Sequence, residues 1–176
     1  MSDDEFASVR LVMRRQRISD AEALFEAYAD PELMRFWSSA PHRSVTESRD
    51  YLAGGPDDPD FRGWTMRRAS DGAVIGTLAT MRERTGVQQI GYLLIRRFWG
   101  QGYAREGVAR LLDRLFQEEG QRRIFADVDP DNVASNALLK DLGFTLEGRL
   151  RGEWETHIGV RDSFIWGMLR EEWPAR

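Results

Sequence analysis

"IGYLLIRRFWGQGYAREG", residues 90–107, decides the fold of this chain. Its opening segment, "GYLLI" (91–95), reads as a buried strand, and its end runs into a strongly periodic helix. Between them stand Gly100 and Gly102, at a helix entrance where each glycine costs backbone entropy. The physical use for such residues is close approach of something to the backbone. A helix start offers unpaired N–H groups and the positive end of the helix dipole, so the expected visitor is an anion. Downstream, Ala104, Val108, Leu111, Leu112, Leu115 and Phe116 form one stripe at the 3.6-residue period, and Gly120 supplies the stop.

Working outward, "SVRLVMRR" (8–15) reads as a first strand, and "SDAEALFEAYADP" (19–31) as a helix capped by Ser19 or Asp20. Asp30-Pro31 ends that helix, because the residue before proline is pushed out of helical geometry. "SVTESRDYLAGG" (44–55) opens with a capping box, Ser44 with Glu47, and closes at Gly54 and Gly55; "GGPDDPD" (54–60) is a loop by composition. "GWTMRRA" and "AVIGTLATM" flank a hairpin turn at 70–72, and "GVQQIGYLLI" (86–95) is a further strand. "RIFADV" (123–128) is nearly continuously apolar, as expected of a strand covered on both faces. A short helix lies within "DPDNVASNALLKDLGF" (129–144), and "FTLEGRLRGEW" and "GVRDSFIWGML" close the chain as two strands. The resulting order, β-α-α-β-β-β-α-β-α-β-β, predicts an α/β domain with a mixed sheet and helices on its faces. No repeat or second domain is evident, so 1–176 is expected to be a single domain.

Composition narrows the chemistry. With 25 Lys plus Arg against 29 Asp plus Glu, the net charge of −4 predicts no general attraction to nucleic acid or to an anionic membrane. There is no cysteine, and His42 and His157 are far apart, so thiolate chemistry and Cys- or His-rich metal sites are excluded and no metal is expected. The acidic start "MSDDEFASVR" has no apolar segment and no run approaches a bilayer span, which predicts a cytoplasmic protein.

Three motifs in order then point to a family. They are "IGYLLIRRFWGQGYAREG" (90–107), "VDPDNVASNALLKDLGF" (128–144), and "EGRLR" (147–151) with "RDSFIW" (161–166). The chain resembles the GNAT acetyltransferase superfamily, and within it the RimJ/RimL-like branch, over nearly its whole length. The superfamily signature of Gln or Arg, two residues, Gly, one residue, then Gly or Ala falls on Trp99, Gly102 and Ala104; Trp99 departs from it, but "WGxGYAxE" is the usual form in that branch. The resemblance implies a GNAT-like, mostly antiparallel central sheet flanked by helices, with acetyl-CoA as cosubstrate.

In that reading Gly100 and Gly102 remove side chains so that N–H groups from about Gln101 through Tyr103 to Ala104 converge on the pyrophosphate, and Arg97 and Arg105 are candidates for further phosphate contacts. The resemblance further implies a splayed strand, leaving backbone groups of Leu93, Leu94 and Ile95 for the pantetheine amides. Asn132 is a good N-cap for the helix behind it, and by resemblance also a cofactor contact. Ser135, by resemblance near the cofactor sulfur, is a candidate to protonate the leaving thiolate or stabilise it. Many superfamily members carry a tyrosine acid four residues further on, where this chain has Leu139.

The general base is less marked. Related enzymes use a carboxylate at the position of Gln89, which cannot take a proton, or a Glu where this chain has Trp154. Glu153 and Glu155 flank that position and are the catalytic candidates, against the plainer reading of a solvated strand face; Glu83 is a weaker one. Phe36 and Trp37 either line an acceptor cleft or belong to the core.

The expected activity is direct acetyl transfer to a primary amine, since an acetyl-cysteine intermediate is impossible without cysteine. By resemblance the leading acceptor is the α-amine of a protein or peptide. Alternatives are a small amine such as an aminoglycoside or polyamine, or a CoA-binding module without transfer activity. A homodimer is the open alternative to a monomer. An α-amine, with a reference pKa of about 7.7–8.0, is the acceptor expected of an enzyme with a poorly placed base.

Overall fold

The computed structural model describes residues 5–54 and 58–174; Gly55 and part of the 54–60 loop lie outside the described residues. The strands are β1 (Glu5–Ala7), β2 (Leu11–Arg15), β3 (Phe61–Arg68), β4 (Val74–Arg84), β5 (Val87–Leu94), β6 (Arg123–Val128), β7 (Thr145–Thr156) and β8 (Gly159–Leu169). The helices are α1 (Ala21–Tyr28), α2 (Val45–Gly54), α3 (Tyr103–Asp113) and α4 (Val133–Leu142). All eight strands form one sheet in the order β1-β2-β3-β4-β5-β6-β8-β7, antiparallel except where β5 meets β6. No helix among the described residues is long and apolar enough to cross a membrane.

Helices cover both faces. Successive residues of a strand point to opposite faces, and on β4 Thr77 hydrogen-bonds Tyr28 of α1, whereas Leu78 lies beneath Gly107 of α3. A side chain at Gly107 would run into the Met66 sulfur 2.7 Å away, so glycine there lets α3 sit down on the sheet. The stripe read from the sequence is the buried face: Val108, Leu111, Leu112, Leu115 and Phe116 are essentially inaccessible. After Asp113 the helix widens into a π turn, Arg114–Glu118.

Three local expectations change. Residues 8–15 are not one strand: Ser8 and Leu11 close a tight hairpin between β1 and β2, and Val9 projects into solvent at its tip. Asp20 does not cap α1; its buried carboxylate accepts from Arg14, the Arg17 N–H and Thr65 instead. And β6 is not covered on both faces. Ile124, Ala126 and Val128 are buried while Arg123, Phe125 and Asp127 on the other side are half-buried. The box at α2 forms in shifted register: Ser44 accepts the Glu47 N–H, and the Glu47 carboxylate reaches the Arg43 N–H.

Candidate active site

The parallel ladder between β5 and β6 contains three residue pairs, Val87 with Arg123, Gln88 with Ile124 and Gln89 with Phe125, and then stops. Both strands continue, β5 bound only to β4 and β6 only to β8, so a gap opens between them. The Ile95 N–H donates to Ile75 on the β4 side. By the alternation of an antiparallel pair, the backbone groups of Tyr92 and Leu94 turn towards the gap. The Leu94 carbonyl accepts from the Trp99 indole at 2.7 Å, tying the following loop to the strand end. Ile95 is fully buried with its N–H already bonded, and the Leu93 carbonyl is turned to Gly76 of β4, so of the three residues expected to offer backbone groups only Leu94 faces the gap. A cavity of about 580 Å³ fills the gap, and Leu93 and Leu94 line it.

The glycine loop closes one end of this cavity. Gly100 and Gly102 have φ of +72° and +78°, the left-handed region that β-carbons disfavour. Their use is thus geometric first: they bend the chain so that α3 starts at Tyr103 with its free N–H groups at the cavity wall. Trp99, Tyr103, Ala104 and Arg105 line that wall with the two glycines, while Arg97 and Gln101 stand outside it. Arg97 is paired with Glu26 of α1, and the Gln101 side chain turns back to the Arg97 carbonyl. Arg105 is paired with Asp141 of α4 at 2.6 Å.

A brace from the far end of the chain holds the loop. Glu106, in the first turn of α3, accepts from the Ser8 hydroxyl, the Arg10 N–H and the Arg10 guanidinium. Arg10 also donates to the Gln101 carbonyl and stacks on the Tyr103 ring. Burial alone would raise the Glu106 pKa, but these donors outweigh it and hold the carboxyl below its ordinary value.

On the opposite wall, Asn132 caps α4 by accepting the Ser135 N–H at 3.2 Å, and both residues line the cavity. The Asn136 amide donates to three carbonyls of the 129–132 turn and accepts from the Trp166 indole, fixing that turn to β8. Tyr92 crosses the gap to the Ser135 carbonyl at 3.4 Å; burial pushes its hydroxyl up to about 12, so it stays protonated. Leu139 is core, with no accessible surface.

The remaining end of the cavity carries Phe36 and Trp37, the Trp37 indole donating to the Tyr51 hydroxyl at 2.9 Å. Three carboxylates line the cavity: Glu32, Asp127 and Asp129. Glu32 is paired with Arg96, and Asp129 with Arg161. Burial raises the Asp129 pKa, but the Arg161 guanidinium and the Asp131 N–H bring it below the ordinary value. Glu153 and Glu155 are not brought to the cavity. They are exposed on the outer part of β7, where 151–153 bulge out between the Leu150–Ser163 and Trp154–Arg161 pairs. Gln89 completes the β5–β6 ladder instead of facing the gap's interior. The carboxylate that sequence reasoning missed is Asp127. It lies in a segment read as a nearly continuous apolar strand, and its signal was the one acidic residue inside "RIFADV".

Residues 10–145 match the family described as "Acetyltransferase (GNAT) domain". An uncharacterized N-acetyltransferase p20 of Bacillus licheniformis is 31% identical over 173 residues, covering 94% of this chain and 96% of that protein. Among solved structures, a GNAT-family acetyltransferase from Bacillus anthracis superposes with a TM-score of 0.86 at 20% identity, over 96% of this chain and 99% of that one. A spermidine N-acetyltransferase from Vibrio cholerae, in complex with CoA and spermine, has the same fold at a TM-score of 0.81 and 20% identity, over 94% of this chain and 98% of that one. A backbone gap, a glycine-bent helix start and a family match spanning both leave one assignment: this chain belongs to the GNAT family and is an N-acetyltransferase.

Proposed function

We propose that this N-acetyltransferase binds acetyl-CoA along the β5–β6 gap and transfers the acetyl group directly to the α-amine of a peptide or protein, as in the RimJ/RimL-like branch. The observation that carries the reading is the gap itself. It leaves the backbone of Tyr92 and part of Leu94 without a neighbouring strand, and unpaired buried backbone groups are costly unless a ligand takes them up. A pantetheine arm, a chain with amide groups, fits that edge, and a pyrophosphate fits the N–H groups at the start of α3. When bound, the cosubstrate supplies a thioester, whose acyl carbon is open to attack by an amine.

The protein's own residues then have distinct tasks. Asn132 and the cap it makes hold Ser135 at the cavity wall. The Ser135 hydroxyl, which lies beside the Tyr92 hydroxyl, can turn to donate to the sulfur as charge builds there. Phe36 and Trp37 form the apolar end against which an acceptor rests.

Of the cavity's three carboxylates, Glu32 shares Arg96 with Asp30, Asp129 shares Arg161 with Asp131, and Asp127 is held by the neutral donors Trp154 and Ser163. At pH 7 roughly one α-amine in ten is already neutral, against about one lysine amine in a few thousand.

The test is thiol release from acetyl-CoA with a peptide that has a free N-terminus and one internal lysine, alongside spermidine and an aminoglycoside. The modified nitrogen is located by mass spectrometry. N-terminal acetylation is expected; predominant lysine, spermidine or aminoglycoside acetylation would overturn the acceptor assignment.

A further inference from the structure

We infer that Asp127 is the group that docks the acceptor's ammonium and takes its proton, oriented for this by Trp154 and Ser163. The inference rests on the acetyl-transfer reading above and assigns the step which that reading leaves open. Asp127 lies two residues past the last β5–β6 ladder pair, so it stands where the gap begins, in the cavity wall.

Its partners distinguish it from the other two cavity carboxylates. The Trp154 indole of β7 donates to Oδ2 at 2.9 Å, and the Ser163 hydroxyl of β8 donates to Oδ1. Both donors are neutral, so they fix the carboxylate plane without cancelling its charge. Each oxygen keeps a further lone pair for an incoming N–H. Ser163 is itself fully buried, which fixes the position of one donor.

The charged groups around this point leave the site to Asp127. Just past β6, Asp129 is held by Arg161 of β8, which also pairs with Asp131. Glu32 is taken by Arg96. Across the gap, Tyr92 is held neutral by burial. Arg105, the arginine in the cavity wall, is paired with Asp141. Glu153 and Glu155 flank Trp154 on β7 but line no part of the cavity. Gln89 and Trp154 stand where the resemblance implies a base; the carboxylate that lines the cavity is Asp127, on the strand next to β5, and Trp154 donates to it.

The step balances as follows. One ammonium proton passes to the Asp127 carboxylate, directly or through a water, and on to solvent. The freed nitrogen lone pair forms the bond to the acyl carbon, and the carbon–sulfur bond breaks with its electrons on sulfur. The second proton lost from nitrogen ends on sulfur, giving amide and thiol.

Asp127→Asn keeps the shape and removes the base. With the N-terminal peptide and acetyl-CoA at pH 7, kcat/KM should fall about 10²- to 10⁴-fold. CoA affinity by calorimetry should stay within about twofold. The deficit should shrink as pH rises past about 8, where the α-amine is neutral without help. Trp154→Phe, at a half-exposed position that tolerates change, should retain the carboxylate but lower kcat/KM about tenfold with the same pH trend; it decides the matter should Asp127→Asn not fold. Wild-type turnover with Asp127→Asn at wild-type kcat/KM, or a folded Trp154→Phe with no loss should that variant be unobtainable, overturns the assignment. A wild type that acetylates no amine overturns the transfer reading as well, so the two failures are distinguishable.

Discussion

The two ends of the cavity are built in different ways. At the end proposed for the cofactor, the parts are contiguous: residues 96–107 form a loop and a helix start, and 128–136 a turn and its cap. Backbone geometry does most of the work there, through glycines with positive φ and helix N–H groups. At the end proposed for the acceptor, the wall is assembled from Phe36 and Trp37 before α2, Asp127 on β6, and Trp154 and Ser163 behind it on β7 and β8. Side chains separated by up to more than a hundred positions meet only because the sheet runs in the order β5-β6-β8-β7. Backbone-built sites have motifs; side-chain sites assembled by topology leave scattered single residues.

The largest test of that contrast falls on Ser135, where the two ends meet. Ser135→Ala should lower kcat by roughly ten- to a thousand-fold, as removal of one acid or oxyanion donor does, while calorimetry shows CoA affinity nearly unchanged. An unchanged kcat would reduce Ser135 to its part in the helix cap.

A glycine pair sharpens the cofactor end. Gly102 and Gly120 share nearly the same φ, +78° and +70°, and no backbone crowds either position. Valine at either site should therefore cost about 1–3 kcal/mol of stability in a thermal or denaturant melt. The effect on CoA should differ: at least a tenfold loss of affinity for Gly102→Val and none for Gly120→Val. Equal affinities would mean that the loop's shape does not serve phosphate binding.

How much of this was legible follows the same division. The α3 stripe could be read because buried helix faces repeat, and the glycine loop because positive φ restricts residue choice. Asp127 was hidden because a lone acidic residue in a short apolar run carries no period, and its neighbours on β7 and β8 are invisible to any local pattern. Glu153 and Glu155 drew attention by proximity to Trp154 in sequence, yet the bulge at 151–153 and strand alternation set them outside the cavity. The β1–β2 hairpin was missed because Val9 keeps the apolar rhythm of a strand while its side chain is in water.

The smallest expected effect concerns Glu106. Its pKa is depressed in the folded protein, so its contribution to stability is complete above the unfolded value of about 4.3 and is lost as pH falls through the lower, folded value. Glu106→Gln should cost about 1 kcal/mol at pH 7 by denaturant titration. The gap to wild type should close as the pH drops below about 4. A gap independent of pH would show that the carboxylate's charge is not what holds the brace.

That brace ties together parts of the chain 96 and 98 residues apart. During synthesis the hairpin carrying Ser8 and Arg10 leaves the ribosome long before α3 exists, so its clamp has nothing to grip until more than half the protein has been made. Closing so long a loop is entropically slow. The consequence is an order of assembly: the glycine bend before α3 reaches its final shape only after the amino-terminal ribbon docks. A shortened start that removed Ser8 to Arg10 would be felt in the affinity for the cosubstrate, across the whole length of the sheet's history rather than at its edge.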